Sequence, residues 1–435
     1  MKKTICWILL ILMSLGGCAQ KTTVVKEEIN VKEEIREKVN MPLQHKPTME
    51  PTVAQDGETE TGPLTVEGYE SFMTVLSAAL IDGQSNKNLS PISVYLALAM
   101  AAEGARGKTQ EEMLALLGEK TIEDVRENAK AMVKTLCLKK ESGELALANS
   151  IWMGQQDESV TFHEAFLKTL SDSYDAEANA VRFGEAEAGR RIAAWIKEKT
   201  RDKVKVSDDA MRFNADTLAV LINTIYLKDG WRAPFDTNMT EKGTFYGPNG
   251  KQTQVNYMRR TDRAAAIIRG DGYLRYAMPL RDVGRMVFVL PDEGVSLESL
   301  LGSPERIEEL LNGGTESTAD VNILLPKFSF QDRTDLEETL MGLGVKTCFT
   351  GEADFSAMTD TPAYVSRVLQ ESHIGVDENG VVAAAYTMIA MAKSAAFSME
   401  REKVDFHLTR PFLYTIESKD GTILFIGTVT APDEA

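Results

Sequence analysis

At 435 residues the chain is long enough for one large domain with appendages or for about three ordinary ones. Its 43% hydrophobic and 26% charged residues are globular values, which exclude a fibrous or wholly disordered protein, and a net charge of −17 without a basic stripe argues against nucleic acid as a partner. The four cysteines, Cys6, Cys18, Cys137 and Cys348, are far apart and form no C-x-x-C pair, which argues against a disulfide framework, and four histidines leave little for a metal site.

Lys2-Lys3, the apolar run Ile5–Leu15 and Gly16-Gly17 follow the order of an export signal. The run is too short for a membrane-spanning helix, which needs about 20 apolar residues. Leu15-Gly16-Gly17-Cys18 resembles the bacterial lipobox, whose cysteine receives diacylglycerol and becomes the first residue of the mature chain. The expectation is a lipoprotein signal peptide over 1–17, lipidation at Cys18, passage across the inner membrane and anchoring at the bacterial cell envelope. Residues 18–64 follow as the lipidated cysteine and a tether. Val25-Lys-Glu-Glu-Ile29 recurs as Val31-Lys-Glu-Glu-Ile35, and Pro42, Pro47, Pro51 and Pro63 punctuate a stretch poor in large apolar residues.

The folded domain is expected over 65–435. Val66, Tyr69, Phe72, Val75, Leu76 and Leu80 keep a helical period over 65–82. Ser90-Pro91 opens a second helix, with Ser90 as N-cap and Pro91 in the first turn, where its missing N–H costs nothing. That helix, Ile92–Ala102, is apolar nearly all round and so belongs in the interior. Further helices are predicted at 109–117, 121–138, 161–174, 186–199 and 333–342. Thr217–Lys228 is apolar on both faces, as a central strand covered on both sides should be. Tyr273–Pro279 with Arg285–Leu290 reads as a hairpin. Val321–Phe330, Leu369–Val376, Val404–Glu417 and Thr422–Thr430 are further strands, with Lys419-Asp420-Gly421 turning between the last two. Helices early and strands late give a single α+β domain.

The residues do not point to catalysis. Ala102–Thr109 imitates a phosphate-binding loop but follows a buried helix rather than a strand, His163-Glu164 lacks the second histidine of a zinc protease, and no G-x-S-x-G occurs. The segment Glu378–Phe397 is unusual: from Val381 to Ala392 it is small, apolar and uncharged. Val381, Val382, Thr387 and Ile389 favour strand, and Ala383, Ala384 and Ala385 would slide between existing strands without clashing. A loop able to become a strand fits this pattern.

Residues 65–433 resemble a serpin. Asn88-Leu-Ser90-Pro91-Ile-Ser93, Asn223–Trp231, Leu325-Pro-Lys-Phe328, Leu343–Phe349, Val376-Asp-Glu378-Asn-Gly380 with Ala383–Ala385, Arg410–Ile416 and Leu424-Phe-Ile-Gly427 match family motifs in family order. The resemblance implies roughly nine helices around three β-sheets with an exposed reactive loop. It implies a monomer without cofactor and without catalytic residues of its own. Serine proteases, and sometimes cysteine proteases, would attack the loop and be trapped as an acyl-enzyme while the freed loop inserts into the central sheet. The hinge comprises Glu378, Gly380, Val381, Val382, Ala383, Ala384 and Ala385, and the shutter and breach comprise Ser90, Ser93, Asn223, Trp231 and Gln370. Family spacing from the hinge glycine puts the reactive bond at Ser394-Ala395, suited to elastase-like enzymes. Lys393-Ser394, one place earlier, suits trypsin-like ones. Two positions depart from the family: Gln370 replaces a common histidine, with an amide able to bridge Ser90 and Asn223, and Thr409 replaces an acid or its amide. An uncharged, unbulky hinge favours an inhibitor. The alternative is a non-inhibitory serpin acting as a binding or chaperone-like protein.

Overall fold

The structure, a computed structural model, describes residues 5–15, 67–155, 160–201, 211–381 and 401–432. Cys18, the tether and the loop residues 382–400 lie outside the described residues. Nine α-helices are found among the described residues: α1 (Glu67–Leu80), α2 (Pro91–Gly104), α3 (Gly107–Leu117), α4 (Ile122–Leu136), α5 (Glu164–Tyr174), α6 (Ala186–Lys199), α7 (Leu297–Leu300), α8 (Pro304–Asn312) and α9 (Glu337–Gly342). One sheet holds β1 (Ile5–Leu15), β3 (Leu138–Lys139), β4 (Glu144–Gly154), β5 (Ala176–Val181), β6 (Thr217–Gly230), β12 (Phe328–Asp335), β13 (Ala363–Asp377) and β14 (Gly380–Val381). The other holds β2 (Lys87–Leu89), β7 (Glu241–Tyr246), β8 (Gln252–Gly270), β9 (Tyr273–Pro279), β10 (Gly284–Pro291), β11 (Thr315–Pro326), β15 (Lys403–His407), β16 (Phe412–Ser418) and β17 (Ile423–Val429).

The α+β class is as the sequence predicts. The three implied sheets are two by hydrogen bonding, because the 19-residue β8 pairs with β11 from Tyr257 to Arg269 and also with β7 at one end and β9 at the other, joining both halves into one nine-stranded sheet. Side-chain caps start four of the helices, at Ser90, Thr121, Ser296 and Ser303. At α2 Ser90 Oγ accepts the Ser93 N–H, Pro91 occupies the first turn, and all fourteen residues are buried. The segment predicted as a helix over 333–342 divides instead. Arg333, Thr334 and Asp335 pair with β13, and only then does α9 begin, so sheet pairing overrides local preference. Val404–Glu417 is interrupted near Pro411, which has no N–H to give a ladder.

The eight-stranded sheet is covered on both sides, which explains why β6 is apolar throughout. Val220 and Ile222 join Ile192, Trp195 and Ile196 of α6 and Trp152 of β4 on one face. Leu221, Ile225 and Leu227 join the larger core around α2 on the other. Trp152 and Trp195 meet edge to face at 6.3 Å, with Arg191 over the first ring and Lys199 over the second. Ile5–Leu15, read from sequence as the apolar centre of an export signal, is strand β1, antiparallel to β13 on one side and β6 on the other. An apolar run of 11 residues suits both descriptions, being long enough to cross a sheet and too short to cross a bilayer.

Candidate functional site: the hinge and its slot

At the upper end of the slot between β6 and β13, the two-residue strand β14 is gripped from both sides. Gly380 pairs with Asp377 and Gly230, and Val381 with Val376 and Asp229. Only glycine fits at 380. Its φ is +154°, and a Cβ there would lie 2.2 Å from the Asp229 carbonyl oxygen and 2.7 Å from Gly230 Cα. The hairpin is closed by Asp377, whose Oδ1 accepts the N–H groups of Asn379 at 2.8 Å and Gly380 at 3.3 Å. Burial pushes the Asp377 carboxyl up, and these bonds offset only part of that.

Trp231 is fully buried beside this hairpin. Its indole donates to the Asp377 carbonyl at 2.9 Å, its own N–H donates to the Asn379 carbonyl at 2.8 Å, and its ring meets Phe235 edge to face at 6.3 Å. Glu378 is nearly buried. Lys327, in the break between β11 and β12, places Nζ 2.9 Å from its Oε2, and Thr240 Oγ1 donates to Oε1 at 2.8 Å. Burial alone would raise the Glu378 pKa, but Lys327, the local backbone and Thr240 together hold it below the usual value. Sequence reasoning missed Lys327 and Thr240 as partners, although Lys327 is a lone basic residue inside an otherwise uncharged motif.

Half-way down the same sheet the polar residues split into two groups. Behind β13, Gln370 Nε2 donates to the Ser90 carbonyl at 3.1 Å, Ser372 Oγ donates to the Asn88 carbonyl at 2.8 Å, and Ser90 Oγ bonds Ser93 Oγ at 3.1 Å. Behind β6, Asn223 Nδ2 donates to Asn149 Oδ1 at 2.7 Å, and Asn149 in turn donates to the Tyr174 carbonyl at 2.7 Å. The amide of Gln370 therefore reaches Ser90 but not Asn223. The expected bridge to Asn223 is corrected by β1, since Leu9 pairs with Gln370 on one side and with Asn223 on the other.

β1 and β14 run in the same direction along one track. Val381 lies opposite Val376, so continuing that register down β13 would bring residue 384 opposite His373, the position held by Cys6. The 11 residues of β1 thus stand where loop residues 383–393 would stand. The expected hinge residues Val382, Ala383, Ala384 and Ala385 and the candidate bonds at Lys393, Ser394 and Ala395 lie outside the described residues. Among the described residues no cluster of three or more His, Cys, Asp or Glu could hold a metal ion, and Cys137 and Cys348 are free thiols. Burial pushes the Cys348 thiol up to about 12, so it stays protonated.

The chain is similar to known proteins in sequence and in fold. A serpin-like protein of Thermococcus kodakarensis is 30% identical over 100% of both chains. Serpin-Z1C of Triticum aestivum is 29% identical over 80% of this chain and 90% of its own. Among solved structures, the thermophilic serpin tengpin in its native state aligns with a TM-score of 0.72 and 26% identity, covering 84% of this chain and 93% of tengpin. Serpin48 of the insect Tenebrio molitor aligns with a TM-score of 0.70 and 26% identity, covering 84% of this chain and 98% of its own. The profile described as Serpin (serine protease inhibitor) matches residues 67–432, so the chain belongs to the serpin family.

Proposed function

We propose that this serpin is a suicide inhibitor of serine proteases, anchored at the cell envelope through Cys18. The observation that carries the inhibitory reading is the double pairing of Gly380 and Val381. The first two residues of an inserting strand are already in place as β14, at the head of the track that β1 fills and that removal of residues 1–17 would vacate. A protease that acylates the loop would leave its new N-terminal arm free to follow that track. The track takes eleven residues beyond 382, so residues 383–393 fill it and residue 394 arrives at its foot. This supports cleavage at Ser394-Ala395 by an elastase-like enzyme, with Lys393-Ser394 as the bond for a trypsin-like one.

The chemistry belongs to the protease: its nucleophile attacks the scissile carbonyl and the amine leaves with the C-terminal segment. The serpin supplies the strain and then the strand position that carries the acyl-enzyme away. At about 3.3 Å per residue, eleven residues move it roughly 36 Å. Incubation with elastase-like and trypsin-like proteases should give an SDS-stable complex, and mass spectrometry of the released peptide should find an N-terminus at Ala395 or Ser394. Cleavage by every enzyme without a complex would instead favour a binding protein. Cys18→Ala should release the protein from the membrane fraction, and retention there would refute the anchor.

A further inference from the structure

Asp229, at the end of β6, is fully buried, yet no cation pairs with it among the described residues. Its carboxylate accepts three main-chain N–H groups. Gly230 donates to Oδ1 at 2.8 Å, while Asp282 at 2.8 Å and Val283 at 2.6 Å both donate to Oδ2. The last two belong to the turn between β9 and β10, in the other sheet. The turn between β3 and β4 packs on the same group: a Cβ at Gly143 would lie 3.1 Å from Asp229 Oδ1 and 2.6 Å from Asp282 Cβ. Ser142 Oγ bonds the Asp282 carboxylate. Arg281, from the same turn, donates its N–H to the Gly230 carbonyl at 2.9 Å and Nε to the Trp231 carbonyl at 3.1 Å. The main chain of Asp229 meanwhile pairs with Val381.

A buried carboxylate beside another acid is costly unless its acceptors are used. Burial does push the Asp229 carboxyl up, with Asp282 adding to the shift, and the three N–H donors offset only part of it. The strands flanking the slot form two blocks, β12–β13 and β3–β4–β6, and the second is fixed to the other sheet where Asp229 meets the β9–β10 turn. The spacing across that upper end decides whether an incoming strand finds hydrogen-bonding partners on both sides.

We propose that Asp229 is a positioning residue for loop insertion, fastening the end of β6 to the β9–β10 turn at the width that Gly380 and Val381 require. This rests on the inhibitory reading above. Trapping is a race between insertion and deacylation, so a loosened β6 end should lose the race more often. Asp229→Ala should slow insertion about tenfold, equivalent to ~1.4 kcal/mol at 25 °C. The number of serpin molecules consumed per complex should then rise several-fold, while the rate of loop cleavage stays the same. Asp229→Asn keeps an oxygen for the Asp282 and Val283 donors and should recover most of the wild-type ratio.

An unchanged ratio in Asp229→Ala would overturn the proposal. So would an Asp229→Asn variant as impaired as the alanine, since charge rather than the accepted bonds would then be responsible. If the alanine variant does not fold, amide exchange on the wild type decides: the Asp282 and Val283 amides should be better protected after loop cleavage than before, and equal or weaker protection refutes the role. Wild type that forms no complex with any protease removes the inhibitory reading itself, and Asp229's role with it.

Discussion

Gln370 and Asn223 face the same residue, Leu9, from opposite edges of the slot, so one strand lies between two polar groups that would be neighbours without it. With the slot filled, their strands stand two spacings apart, roughly 9–10 Å. Gln370→Ala and Asn223→Ala should then be additive in their effect on stability. In a chain beginning at Cys18 the slot is free to close, and the same pair should couple by about 0.5 kcal/mol or more. A double-mutant cycle by calorimetry on the two chains measures this. Additivity in both would mean that Gln370 and Asn223 never meet.

Removing residues 1–17 should lower the unfolding temperature of the intact protein, because the facing edges of β6 and β13 lose the strand that pairs with both. Cleaving the loop of the shortened chain should raise the temperature again. A melting curve indifferent to loop cleavage would show that the loop does not insert.

Val381 is fully buried where the loop begins its path. Val381→Arg puts an unpaired charge at that position, a burial too costly to leave uncompensated. The variant should be cut at the wild-type rate yet leave the protease active. Undiminished complex formation on a denaturing gel would refute this.

The Glu378–Lys327 pair gives the hinge a pH dependence whose sign follows from the depressed carboxyl. Its stabilisation is complete above the ordinary glutamate range, about 4.3, and is lost as pH falls through the lower folded-state value. Below pH 4 the intact protein should therefore lose stability faster than Glu378→Gln, which lacks the charge at every pH. Parallel curves for the two proteins would place the acid sensitivity elsewhere.

The sequence signals that were legible acted locally or repeated along one element. The Ser90-Pro91 start of α2, the two-faced apolarity of β6 and the turn at Gly421 needed only propensity and periodicity. The family resemblance directed the expected hinge to Glu378–Ala385, of which Gly380 and Val381 are paired with both β13 and β6. The long strand β8 was not legible. From Arg259 to Arg263 every residue of β8 is polar, so no apolar alternation marks the strand there. Nor could a single sequence show that Lys327 faces Glu378, or that Asp229 reaches the β9–β10 turn, since each contact joins segments some fifty residues apart.

The slot also determines what stability means for this molecule. A strand of eleven residues bonded on both edges brings on the order of ten ladder hydrogen bonds, each contributing ~1 kcal/mol. That sum rivals the ~5–15 kcal/mol that holds an ordinary domain together. On the inhibitory reading, a chain that begins at Cys18 and still holds its loop outside would therefore sit well above the lowest state open to it. Its persistence depends on the barrier to opening the sheet, so the meaningful measure is a half-life on the shelf rather than an equilibrium constant. Age becomes a variable of the sample, and two preparations of identical sequence should differ in active fraction according to how long and how warm each has been kept.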